Sequence, residues 1–176
     1  MKIFIAGPRA VTKLHPLVIK KLKDIADKNY TVLVGDANGV DRTIQEYFKN
    51  SGHNNIIVYA SGEKVRNNIG NWETRNIMVS DNVKGFDFYV MKDKEMAKES
   101  DYGFMIWNGK SKGTFNNITN LLSYGKTVVL YFIPSKRFYI FKTINELEKF
   151  INKIDNKEIN KFFIMNQKTN EQLKFI

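Results

Sequence analysis

Three short apolar runs near the start of the chain constrain its fold more than any other feature. Residues 2–6 (Lys-Ile-Phe-Ile-Ala) stop at Gly7-Pro8, residues 31–34 (Thr-Val-Leu-Val) stop at Gly35, and residues 55–60 carry Ile56, Ile57, Val58 and Tyr59. Runs of this length bounded by turn residues read as buried strands. Between them, Leu14, Leu17, Val18, Leu22 and Ile25, and then Val40, Ile44, Tyr47 and Phe48, recur at helical spacing with polar residues opposite. Strands alternating with helices need crossover connections, and these give a parallel sheet.

The alternation resumes further on. A helix is expected over 86–99, a strand over 102–107, a helix over 114–123 and a strand over 127–132, ended by Pro134. The fold class is therefore α/β: a Rossmann-like, doubly wound, mainly parallel sheet of five strands or more, with a short C-terminal α/β extension. Residues 61–81 break the pattern with Gly, Asn and Arg, and read as a long functional loop kept in order by Trp72. From residue 135 the character changes. An aromatic strand over 138–141 precedes a helix over 143–154, where Thr143 and Glu146 have capping-box spacing. Two short strands are expected at 162–165 and 172–175. The organisation is a domain over 1–134 and an extension over 135–176, lying on the sheet edge or serving dimerisation.

Composition removes several function classes. With no cysteine, thiolate catalysis, disulfides and cysteine-built zinc sites are excluded. His15 and His53 lack metal-ligand spacing, which argues against a zinc enzyme. The N-terminal apolar run is too short for a signal sequence and no stretch is long enough to span a membrane, so a cytoplasmic protein without membrane partners is expected. The net charge of +10 favours anionic partners, either nucleic acid or phosphorylated small molecules. The lysines are scattered, however (Lys20, Lys21, Lys23; Lys92, Lys94, Lys98; Lys149, Lys153, Lys157, Lys161), as on a solvated surface.

Ligands of open parallel sheets bind beyond the carboxyl ends of the strands. Four segments fall there: Gly7-Pro8-Arg9; Gly35 to Asp41; the segment containing Arg66, Asn67, Trp72 and Arg75; and Asn108-Gly109-Lys110-Ser111-Lys112-Gly113-Thr114. The last opens a helix whose first N–H groups and dipole favour phosphate. Lys110 and Lys112 add charge, and Ser111 and Thr114 add hydroxyl donors. Gly109-Lys110-Ser111 matches the end of a Walker A loop, but Phe104 stands where its first glycine belongs, and there is no Gly-x-Gly-x-x-Gly fingerprint. No cofactor is expected.

In the second segment Gly39 permits a positive φ, and Asp41 either caps the next helix or faces a ligand. Asp36 is a candidate ribose ligand or base. Arg66 and Arg75 suit phosphate clamping or surface ion pairs, and Trp72 suits stacking on a base or packing on the core.

Gly35-Asp36-Ala37-Asn38-Gly39-Val40-Asp41 resembles the "GgaxGaD" loop of the SLOG superfamily, which contains the lonely-guy hydrolases, DprA and YspA-like proteins. Gly7-Pro8-Arg9 is similar to its opening "G-S-R" turn, and Gly113-Thr114 to its second phosphate loop. The resemblance covers about residues 1–132. It implies a nucleotide-like ligand across these loops, with Arg9 a phosphate contact, and relatives that are often dimers, so a homo-oligomer is expected.

One departure matters. Lonely-guy hydrolases carry "G-T-x-x-E" with a catalytic glutamate, whereas Asn117 stands at that position here. Asn bonds a ribose but supplies no carboxylate. Asp36, Asp93 or Glu95 would have to act in an enzyme; alternatively Asp93 and Glu95 are solvated helix residues alternating with Lys92, Lys94 and Lys98. Three readings follow: a nucleotide-binding sensor or sequestering module, a nucleotide N-glycosidic hydrolase or transferase, and DprA-like DNA binding.

Overall fold

The computed structural model describes residues 1–80, 82–154, 159, 161 and 164. Along these residues the elements are β1 (Lys2–Ala6), α1 (Pro16–Asp27), β2 (Thr31–Gly35), α2 (Val40–Asn50), β3 (Ile56–Ser61), β4 (Glu73–Ile77), α3 (Gly85–Glu99), β5 (Tyr102–Trp107), α4 (Lys112–Ser123), β6 (Thr127–Phe132), β7 (Arg137–Phe141) and α5 (Ile144–Lys153). The strands form one sheet in the order β4-β3-β2-β1-β5-β6-β7. Six are parallel, and β7 closes the edge antiparallel to β6.

Helices on both faces make the inner strands apolar throughout. Alternate residues such as Phe4, Leu33, Tyr59, Met105 and Trp107 join Met96, Phe115, Ile118 and Leu147, and so meet α3, α4 and α5. Their neighbours Ile3, Ile5, Val34, Val58 and Ile106 join Val18, Leu22, Ile44 and Phe48, and so meet α1 and α2. The chain therefore winds one way from β1 and the opposite way from β5. The loops after these two adjacent strands diverge to opposite faces and open a crevice between them.

The expected loop over 61–81 contains a strand, β4. Its sequence, Glu-Thr-Arg-Asn-Ile, shows no apolar alternation because an edge strand pairs on one side only and leaves polar side chains in water. The capping box forms as expected: Thr143 Oγ1 accepts the Glu146 N–H at 3.3 Å, and Glu146 Oε2 accepts the Thr143 N–H at 3.3 Å. Residues 137–141 continue the same sheet, with Leu147 and Phe150 of α5 in the core that α4 shares. Of the strands expected at 162–165 and 172–175, only Ile164 is described, and its backbone is helical; the rest lie outside the described residues. No helix among the described residues is long and apolar enough to cross a membrane.

Phe115 of α4 is fully buried and lies 5.6 Å, ring to ring, from Trp107. Phe115→Ala is expected to lower unfolding stability by about 3–5 kcal/mol in urea titration; a loss below about 1 kcal/mol would contradict this packing.

Candidate nucleotide-binding cleft

The crevice contains a cleft of about 520 Å3 on the face that carries α3 and α4. One wall is the start of α4. Trp107, the last residue of β5, donates its indole N–H to the Ser111 carbonyl at 3.0 Å. Asn108 Oδ1 accepts the N–H groups of Lys110 and Ser111 at 3.0 Å each. The loop so fixed delivers Ser111 as the N-cap, accepting the Thr114 N–H at 3.3 Å. The Gly113 amide, second in the helix, has no carbonyl within α4 to bond. A Cβ on Gly113 would come no nearer than 4.0 Å to its closest neighbour, so a ligand can approach the backbone there. Asn117, one turn on, lies on the same helix face and lines the cleft. It is only 4% exposed, and its Oδ1 has no hydrogen-bond partner.

The opposite wall joins the first two loops. The Val40 N–H donates to the Pro8 carbonyl at 3.2 Å. Gly39 has φ +78°, and a Cβ there would stand 2.2 Å from the Arg9 carbonyl oxygen, so only glycine allows this approach. Gly7 and Arg9 line the cleft. Arg9 lies over the Tyr89 ring of α3 at 4.7 Å, and Arg66 takes an equivalent position at 4.7 Å.

The floor is ionic. Lys92 of α3 is only 4% exposed; its Nζ lies 2.6 Å from Asp93 Oδ1 and close to Asp41. Burial works against this ammonium, but Asp93, Asp41 and Asp36 outweigh it and hold its pKa above the ordinary lysine value. Burial pushes the Asp41 carboxyl up to about 7, against the pull of Lys92 and of the Ala37 N–H. A Cβ on Gly35 would meet Asp41 Oδ2 at 2.4 Å and Lys92 Nζ at 2.6 Å, which accounts for a glycine at the end of β2. A carboxyl titrating near neutrality beside an ammonium can accept or release a proton at a bound ligand.

The structure gathers Gly7, Arg9, Asp41, Asp93, Ser111, Lys112, Gly113, Thr114 and Asn117 around one cleft. Pro8, Gly35, Gly39, Asn108 and Gly109 shape its loops, and Lys110 is exposed on the last of these. Other candidates go elsewhere. Asp36 is 1% exposed and engaged by Arg66, whose Nε lies 2.9 Å and whose backbone N lies 3.1 Å from Oδ2. Burial raises the Asp36 carboxyl, but the Arg66 hydrogen bonds outweigh it and leave it below the usual value. Asn67 donates to the Asp36 carbonyl at 2.7 Å. Trp72 packs against Gly70 and the α1–α2 core, and Arg75 pairs with Glu73 and Glu99. Glu95 pairs with Lys98 at 2.8 Å.

Sequence reasoning missed Lys92, Phe86 and Tyr89, all of which line the cleft. Tyr89, Lys92 and Met96 lie at helical spacing on one stripe, so a lysine within an otherwise apolar face was the available signal.

No protein-family model matches the chain, and neither does any curated protein. Among solved structures it resembles DNA processing protein A from Helicobacter pylori, described for its single-stranded DNA binding mode. The TM-score is 0.58 at 16% identity, over 96% of this chain and 81% of that one. It also resembles the structural-genomics target TM1055, with a TM-score of 0.51 at 18% identity, over 72% and 71% of the two chains. These likenesses establish the Rossmann-like fold.

Because folded Asp41 holds its proton up to about pH 7 while the unfolded group releases it near 3.8, stability falls as pH rises through that window. Unfolding titrations should show the native protein losing up to about 4 kcal/mol relative to Asp41→Asn between these limits; parallel pH profiles would contradict the burial of this carboxyl.

Proposed function

We propose that this chain binds a nucleotide unit in the cleft, with its phosphate at the start of α4 and its sugar or base against Asn117, Asp41 and Asp93. The observation that carries this reading is Asn117, a residue lining a cleft whose wall is a helix N-terminus and holding a buried side-chain oxygen without a donor. Leaving such a group unpaired costs about 1–3 kcal/mol, which a ligand hydroxyl or amino group would recover. The Gly113 N–H supplies a donor and Lys112 a charge for phosphate. The volume is that of a small-molecule site. The resemblance of three loops to SLOG proteins supports the same ligand class.

The unit is either free or part of a strand. A cleft of small-molecule size favours a free nucleotide, as in a sensor or sequestering module. Single-stranded DNA is favoured by the fold shared with DNA processing protein A over nearly the whole chain, and by the net charge of +10.

Asn117→Leu separates binding from folding. Removing an unpaired buried oxygen should leave stability unchanged or slightly higher. Calorimetric affinity for nucleoside monophosphates, and anisotropy-measured affinity for oligothymidylate, should fall about tenfold or more. Unchanged affinity for both ligands would contradict the proposed site.

A further inference from the structure

Directly across the loop that follows β1 lies a second cavity of about 510 Å3, on the α1 face of the sheet. Gly7 and Arg9 line the first cleft, whereas Ala10 and Val11 line the second, so the loop is a narrow crest between them. The second cavity is mainly apolar, with His15, Lys13 and Lys136 as its charged or titratable lining residues and no carboxylate. His15 stacks on Tyr131 with ring centroids 5.6 Å apart and planes at 25°. Tyr131 meets Phe138 edge-on at 5.2 Å. Phe138 and Ile140 project from β7 and are 39% and 62% exposed, and Arg137 beside them is also exposed.

We infer that this cavity is a second nucleotide subsite, and that single-stranded DNA occupies both clefts by crossing the crest at Arg9. The inference rests on the nucleotide-binding reading of the first cleft and extends it to a strand. Charge complementarity selects the occupant. Lys13, Lys136 and Arg137 have no carboxylate partner among the described residues, and they flank the partly exposed rings of His15 and Phe138, both of which pack on buried Tyr131. Aromatic platforms beside cations that track a backbone are how proteins hold single strands. Arg9, exposed on the crest, is placed to meet the phosphate between the two units. A free mononucleotide would fill one cleft and leave the other, with its lysines, unused.

The test uses thymidine 5′-monophosphate and an oligothymidylate of about six residues on the full chain. Two variants are compared with the native protein: Lys13→Ala/Lys136→Asn, in which Asn keeps the left-handed backbone at 136 (φ +52°), and Phe138→Ala. Circular dichroism confirms that both fold. The native protein should bind the oligomer more tightly than the monophosphate. Both variants should lose about tenfold in oligomer affinity while keeping native affinity for the monophosphate. The log–log salt slope of oligomer binding should shrink by about 1.4 in the double variant, for two lost phosphate contacts. Oligomer affinity and slope unchanged in both variants would overturn the second subsite and leave the first cleft standing, as would an oligomer bound no more tightly than the monophosphate. A native protein that binds neither probe would overturn the underlying reading as well.

Discussion

A lysine ammonium buried beneath the cleft is the constraint on which the surrounding structure depends. An unpaired charge in that position would cost many kcal/mol, so the fold must bring carboxylates to it. Lys92 meets Asp93 from its own helix and Asp41 from α2, with Asp36 close enough to contribute. Satisfying it fixes how α3 lies across the sheet and requires glycine at the end of β2. It also leaves the proton of Asp41 in balance near neutrality.

The reversal of winding between β1 and β5 gives this cluster its setting. Loops leaving adjacent strand ends in opposite directions create concavities on both faces, separated only by the residues that follow β1. One side is polar, with a helix N-terminus and an acceptor awaiting a donor. The other is apolar and basic, beside an edge strand whose outward residues no helix covers among the described residues. A fold built this way has two concavities side by side, parted by one loop.

Much of the scaffold was legible because its strands are buried on both faces. Residues 102–107 and 127–132 read as uninterrupted apolar runs, and β5 and β6 occupy those bounds. Strand β4 was hidden because an edge strand made of Glu, Thr, Arg and Asn carries no burial signal. Gly113 and Thr114 were readable as helix-start chemistry, and Asn117 only through the resemblance, as the residue at the position of a catalytic glutamate. The fates of Arg66 and Asp36 were not, since only the fold reveals that they bond each other. Lys92 escaped notice for the opposite reason. It alternates in sequence with exposed lysines, and only the docking of α3 separates a buried ammonium from solvated ones.

The most direct test of the central claim is a titration of 15N-labelled protein with thymidine 5′-monophosphate, followed by amide and Asn side-chain resonances. The account predicts that the largest shifts fall on the backbone amides of Lys112, Gly113 and Thr114 and on the Asn117 side-chain amide. Small shifts are expected across the Asp36–Arg66 pair, whose carboxylate is buried. Saturable binding that perturbs other surfaces while leaving the start of α4 and Asn117 unmoved would contradict it.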